Sequence, residues 1–212
     1  MIEGFAESVR AILHHLGAQI VRPQGADIAG IAEAVEKGAT VVLCSDDDRF
    51  VAINLPLLRV IDNTEATTKG YVTALELMAG GLSGRQVLVI GAAGQLGWKA
   101  VDLLETKGAE VAAFDLNQSK LKELTKERKT KVERDLGEAL RRHSIFFDAS
   151  PASDIIRSEH IQTQTLIAAP GIPLGCTMEA CGLVKDRLIH DPLQIGVATM
   201  LAQALQNPGI LL

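Results

Sequence analysis

Strand-like and helix-like segments alternate along this 212-residue chain, which predicts an α/β fold of parallel sheets with right-handed crossovers. Two further observations sharpen that prediction. A β-branched run, QVLVI at 86–90, passes directly into Gly91-Ala92-Ala93-Gly94-Gln95-Leu96-Gly97 and then into a helix-like segment. Asp115 closes the next strand, 115 − 97 = 18 residues past the last glycine. Strand, glycine turn, helix, strand and acidic residue in that order describe a Rossmann-like dinucleotide-binding domain. The expected organisation is a small N-terminal α/β unit for substrate, residues 1–80, followed by a Rossmann-like parallel-sheet NAD-binding domain, residues 81–212, that ends in a C-terminal helix.

The elements follow in order. Phe5, Val9, Ile12, Leu13 and Leu16 recur at spacings of three and four, so a helix is expected over about 3–16. A short strand over 18–21 closes at Pro23. Asp27 is placed to cap a helix to about 36 that stops at Gly38. TVVLC at 40–44 is continuous and β-branched, as a strand buried on both faces would be. The stretch 50–58 is apolar but broken by Pro56, so its form stays open. Thr64 begins a longer helix, through Tyr71, Leu75 and Met78 to Gly80-Gly81, that connects the two units.

In the second unit the glycine turn leads into a helix to about 107 and a strand over 110–114. A charged helix over 118–129 follows, its mixed signs reading as a solvated face. Strands are expected at 131–133, 145–148 and 165–168, with a short helix at 136–142 between the first two. The last helix spans 192–206, with Asp191 at its N-cap, Pro192 at N1 and Gln194 at N3. Trp98 reads as a helix–sheet packing residue.

Composition sets limits on function. Val, Ile and Leu are plentiful, which excludes disorder for most of the chain, and only 3% of residues are aromatic, so the core must be aliphatic. Lys and Arg number 21 against 26 Asp and Glu, a net charge of −5. An acidic chain poor in aromatic residues argues against a nucleic-acid partner and suits a cationic ligand. No apolar run approaches the ~20 residues of a membrane span, and the first residues lack a signal-peptide pattern, so a cytoplasmic protein without a membrane partner is expected. The 3 cysteines are Cys44, Cys176 and Cys181. Odd in number and without CxxC spacing, they indicate inert thiols rather than a disulfide framework or metal site.

The glycine turn carries the most chemistry. Glycine is required where backbone bends sharply or closely approaches a pyrophosphate, which then sits on the N–H groups at the start of the helix. Asp115 is placed to accept hydrogen bonds from the adenosine ribose. A 2′-phosphate there would meet like charge, so NAD is expected rather than NADP. Measured from Gly97, the first glycine of GxGxxG falls on Ala92, so the spacing here is GxxGxxG. Asp46-Asp47-Asp48 follows a strand end and reads either as a solvated acidic turn or as a carboxylate site for an ammonium. Ser150 and Pro151 follow the strand ending at Asp148, where the nicotinamide-side ribose is expected, and Pro170 begins a rigid wall, Pro170-Gly171-Ile172-Pro173. His190 reads first as a packed or exposed histidine, with an acid–base role as the alternative.

The segments GFAESVRAI, VEKGATVVLCSDDDRFVAINL, VLVIGAAGQLG, VAAFDLN, SIFFDASPASD, APGIPLGCT and LIHDPLQIGVATM together resemble the PylD family of pyrrolysine synthases. The resemblance covers nearly the whole chain, without the N-terminal helical segment that the family carries in front. It implies an NAD-dependent amine dehydrogenase that oxidises the terminal amine of the 3-methyl-D-ornithine part of 3-methylornithinyl-lysine. Ring closure on the neighbouring α-amine then yields pyrrolysine and releases ammonia. The resemblance places a family active-site aspartate on Asp46 and a family glutamate on Asp191. It places the dinucleotide loop on Gly91–Gly97 and the ribose carboxylate on Asp115, and it implies a homodimer.

Two other readings share the layout. Shikimate and methylene-tetrahydrofolate dehydrogenases also join a small α/β substrate domain to a Rossmann domain, but they use a catalytic lysine in the first. Here only Lys37 and Lys69 precede the glycine turn, and neither lies in the expected motif. A non-catalytic NAD-binding protein is the third reading.

Overall fold

The computed structural model describes residues 4–206. Contacts divide these into two units, one running to Thr67 and resuming at Leu193, the other Thr68–Pro192. The expected boundary at 80/81 therefore differs in two ways: the connecting helix spans the division, and the C-terminal helix belongs with the first unit.

In the first unit, α1 (Phe5–His15) turns Val9 and Leu13 inward, as its periodicity predicts. The strand expected over 18–21 does not form, and Ala18 and Ile20 instead pack individually against Val9 and Leu13. Helix α2 (Asp27–Glu36) has Ala26, not Asp27, at its cap position. The sheet is an antiparallel meander of β1 (Val41–Ser45), β2 (Phe50–Asn54) and β3 (Arg59–Asp62), not the parallel arrangement expected. β1 is accordingly an edge strand with one buried residue, Val42, rather than a strand covered on both faces. Pro56 lies in the turn between β2 and β3, so the break read from the sequence is a reversal of the chain. Helix α3 (Asn63–Ala79) follows β3 without a gap.

The second unit is a six-stranded parallel sheet. Its elements are β4 (Gln86–Ile90), α4 (Gln95–Thr106), β5 (Glu110–Phe114), α5 (Gln118–Thr125), β6 (Lys131–Val132), α6 (Leu136–Arg142), β7 (Ile145–Asp148), β8 (Leu166–Ala168), α7 (Met178–Leu183) and β9 (Leu188–Ile189). The order β6-β5-β4-β7-β8-β9 reverses direction at β4, which is the topological switch point of a doubly wound sheet. Fully buried Leu88, Ile90, Phe146 and Ile167 pack with Ala139, Leu140, Ala180 and Val184, each large side chain contributing about 2 kcal/mol. α7 and β9 go beyond the elements the sequence predicts, and α5 ends four residues short of the predicted 129. Trp98 is not a core residue: it is half-buried at the surface, with the Arg128 guanidinium 4.5 Å from its ring centre.

The final helix, α8 (Gln194–Leu205), starts two residues later than expected, with Leu193 rather than Asp191 at the cap position. Val197 joins Val9 and Leu13, while Met200 and Ala204 join Ala52, Ile61 and Ala66, so α8 completes the core of the first unit. Asn54 Nδ2 donates to the Ala204 carbonyl at 2.8 Å and satisfies a group at the helix end.

At the β6 edge of the large sheet, Glu133 is almost wholly buried among Lys131 (2.9 Å), Arg142 (2.5 Å) and His143 (3.3 Å). Burial pushes its carboxyl up, but hydrogen bonds to Lys131 and His143 and the two cationic side chains outweigh it and hold the pKa below the ordinary value. A depressed folded-state pKa stabilises the fold above the unfolded-state value, and that stabilisation is lost as pH falls through the folded value. Thermal melts from pH 7 to pH 3 are expected to show a smaller acid-induced drop in Tm for Glu133→Gln than for the unaltered protein. At pH 7 the variant should be less stable by about 2 kcal/mol, since the buried position loses the charge that Lys131, Arg142 and His143 surround.

Candidate active site

The carboxyl edge of the large sheet gathers most of the residues singled out from the sequence. Gly91 leaves β4 with φ 76°, and a Cβ there would stand 2.9 Å from the Ser150 nitrogen and 3.0 Å from the Ala149 carbonyl carbon. A side chain is thus excluded both by conformation and by the neighbouring strand end. Gly97 packs α4 onto this turn, where a Cβ would stand 2.1 Å from the Gly91 oxygen. Gly91 and Gly97 therefore take the turning and packing roles of the first and last fingerprint glycines despite the longer spacing. Gly94 is the helix N-cap, and no side chain caps α4, so the first-turn N–H groups of Gln95, Leu96 and Gly97 are left for an anion. Ala92 and Ala93 bury their methyl groups and offer only backbone to a ligand.

Asp115 stands beside this turn. Its Oδ2 accepts from the Ala93 N–H at 2.9 Å and its Oδ1 from the Asn117 N–H at 2.8 Å. Each oxygen keeps lone pairs for a further donor. The carboxylate thus fixes the glycine turn and presents negative charge at the end of β5, the arrangement a ribose diol requires. The residues present fit a dinucleotide: a glycine cradle, an uncapped helix start and a ribose acceptor lie on adjacent strands.

On the other side of β4, Asp148 is fully buried in register with Ile90. Its Oδ1 accepts from the Ser150 N–H (3.1 Å) and hydroxyl (2.7 Å), while Oδ2 has no hydrogen-bond partner. Burial raises the carboxyl's pKa; the two Ser150 hydrogen bonds and the His190 charge act in the opposite direction without cancelling it. Ser150 is consequently buried and oriented toward Asp148, Pro151 is exposed, and Pro170 is buried where β8 ends. The sequence places Asp148 at a strand end but does not mark it as a buried acid; its burial depends on Gly175, where a Cβ would stand 2.1 Å from Oδ2.

Past β9, the Tyr71 hydroxyl of α3 both accepts from the Asp191 N–H (2.7 Å) and donates to its carbonyl (2.5 Å). Burial, aided by the Asp191 charge, pushes the Tyr71 phenol up to about 12, while the Asp191 N–H acts in the opposite direction. The sequence marks Tyr71 only as an apolar helix position, and nothing local in it identifies the hydroxyl's partner. His190 Nδ1 lies 2.7 Å from the Ala169 carbonyl oxygen; because a carbonyl only accepts, Nδ1 carries the proton.

Asp46 lies elsewhere, in the first unit, at the turn joining β1 and β2. It is exposed, and its Oδ1 accepts from the N–H groups of Asp48 (2.9 Å) and Arg49 (2.7 Å). These bonds, Arg49's first, hold its carboxyl below the usual aspartate value. The acidic-turn reading describes its local geometry, and the carboxylate stays ionised and able to face a cation. Among the described residues there is no cluster of three or more metal-ligating side chains, and no helix is long and apolar enough to cross a membrane.

This sheet order and glycine turn are the Rossmann-like arrangement of dehydrogenases. Residues 62–187 match the model of the alanine dehydrogenase/PNT C-terminal domain. A dipicolinate synthase chain from Bacillus halodurans superposes with TM-score 0.52 at 17% identity, over 68% of this chain and 53% of that one. The L-tryptophan dehydrogenase of Nostoc punctiforme does so with TM-score 0.50 at 19% identity, over 65% and 44%. The chain thus spans about half the length of these structural relatives. Residues 1–61 match the N-terminal domain of the pyrrolysine biosynthesis protein PylD. Pyrrolysine synthase of Methanosarcina acetivorans is 32% identical over 97% of this chain and 78% of its own length. That of Methanosarcina barkeri is 29% identical over 97% and 76%. The chain belongs to the PylD family.

The Gly97 contact has a direct consequence. Gly97→Ala forces the helix away from the Gly91 carbonyl and is expected to cost about 2 kcal/mol by chemical denaturation. It should also weaken dinucleotide binding, measured by quenching of Trp98 fluorescence, by at least about tenfold, since the first-turn N–H groups move with the helix.

Proposed function

We propose that this protein is an NAD-dependent amine dehydrogenase of pyrrolysine biosynthesis. Its substrate is 3-methylornithinyl-lysine, whose ornithine terminal amine is oxidised. The oxidised end condenses with the neighbouring α-amine to close the pyrroline ring and release ammonia. The observation that carries this reading is membership of the PylD family, which joins a PylD-type first unit to a nucleotide-binding edge in one chain. NAD, when bound, accepts the two electrons of the oxidation.

The chain's own residues supply binding, orientation and charge. The N–H groups of Gln95, Leu96 and Gly97 hold the pyrophosphate, with Gly91, Ala92, Ala93 and Gly94 giving close backbone approach. Asp115 accepts from the adenosine ribose and disfavours a 2′-phosphate. Ser150, Pro151 and Pro170 border the nicotinamide half. Asp46 and Asp191 are assigned to the substrate's ammonium groups. Asp46, whose carboxyl is held low, is suited to remain a fixed anion rather than to take up a proton. The protein is proposed to act as a cytoplasmic homodimer.

Purified protein given NAD and the conjugate is expected to raise absorbance at 340 nm; no rise while NAD is bound would leave only a nucleotide-binding role. Asp46→Asn should lose turnover by about 100-fold with NAD affinity within twofold, and normal turnover would remove Asp46 from the mechanism. Asp115→Ala should weaken NAD binding by about tenfold, the loss of one charge-assisted hydrogen bond; unchanged affinity would remove the ribose assignment.

A further inference from the structure

The proposed chemistry leaves one requirement without a residue. An alkylammonium must lose a proton before the adjacent carbon can be oxidised, so an acceptor with a free lone pair is needed beside it. Asp46 is a poor acceptor because backbone N–H groups already stabilise its ionised form. His190 offers a ring nitrogen with a free lone pair. It follows β9 directly, on the carboxyl edge that also carries Gly91, Asp148 and Pro170. In the strand order it stands three strands from β4, about 15 Å at the usual strand spacing, on the side away from Asp115. That is beyond the pyrophosphate and toward the end of the edge where a substrate meets the nicotinamide half.

The ring is also fixed for the task. Nδ1–H donates to the Ala169 carbonyl at 2.7 Å, and the Ala169 N–H is itself bonded to the Ile189 carbonyl at 2.8 Å. The anchor is therefore part of the sheet, and it determines the tautomer: Nε2 carries the lone pair. The imidazole is half-buried, and no side chain among the described residues hydrogen-bonds Nε2. The buried Asp148 carboxyl is close enough to interact with charge on His190.

We propose that His190 takes the proton of the substrate ammonium through Nε2. In this step an N–H bond of the substrate breaks, its electron pair stays on the substrate nitrogen, and the proton forms the Nε2–H bond of an imidazolium. No oxidation state changes, and the proton later passes to solvent. The proposal rests on the functional reading above and deepens it.

Two measurements decide it. In His190→Asn the side-chain amide can take over the Nδ1 hydrogen bond to Ala169 but offers nothing at the Nε2 position. Turnover of the conjugate is expected to fall about 100-fold, with NADH affinity within twofold of the unaltered protein. Full turnover by this variant overturns the proposal, because the anchor alone would then suffice. The second measurement needs neither a variant nor turnover. Diethyl pyrocarbonate acylates a neutral imidazole nitrogen, and peptide mass mapping gives the rate at His190. Saturating NADH is expected to slow that rate at least fivefold; an unchanged rate with NADH bound places His190 away from the site and overturns the proposal. If the unaltered protein fails to oxidise the conjugate, the functional reading falls on that result, while protection of His190 still tests its place in the site.

Discussion

The carboxyl edge of the large sheet depends on how closely the first turn of α4 approaches the end of β4. With Gly97 only 2.1 Å, by a notional Cβ, from the Gly91 oxygen, the helix start is pressed against the strand end, so its free N–H groups converge on one point. A methyl group at that contact would push the helix axis outward and spread the convergence. Asp115 depends on the same contact, because its carboxylate is held by the Ala93 N–H inside the turn. The Ser150 segment also depends on it, because Gly91 leaves room for that backbone to pass at van der Waals distance. One packing constraint thus sets the glycine turn, Asp115 and the Ser150 segment together, and an extra residue between the first two glycines is accommodated because the contact between Gly91 and Gly97 is kept.

The acidic groups divide by environment rather than by residue type. Asp46 is exposed and served by backbone N–H groups, which favours its ionised form. Asp148 is buried with one oxygen unserved, which favours its neutral form. The first environment favours the carboxylate, and the second raises the cost of forming one. A net charge of −5 adds a general attraction for cations, but the difference between the two carboxyls arises only from local hydrogen bonding and burial.

What is legible in the sequence follows the same division between local and distant causes. The run through Gly91, Gly94 and Gly97, the strands at 86–90 and 110–114, and the acidic residue that ends the second of them are readable because each is specified by neighbours within a few residues. The antiparallel β1–β3 meander is not, because period and β-branching mark a strand without saying which partner it finds. The strand expected at 18–21 fails for the converse reason: Ile20 finds apolar neighbours on α1 without needing a ladder. β9 is two residues long, too short for any pattern. Asp191 carries every local mark of a helix cap, yet the helix starts later because Tyr71, 120 residues away, fixes the Asp191 backbone.

That last contact has a physical consequence for how the site responds to pH. The Tyr71 hydroxyl meets both backbone groups of Asp191, so neither is left without a partner inside the protein. With its phenol pushed up to about 12, the hydroxyl stays protonated throughout the range in which carboxylates and imidazoles titrate. The geometry of the Asp191 backbone is therefore independent of pH over that range. The clamp thus holds the segment through a neutral, pH-insensitive pair of hydrogen bonds.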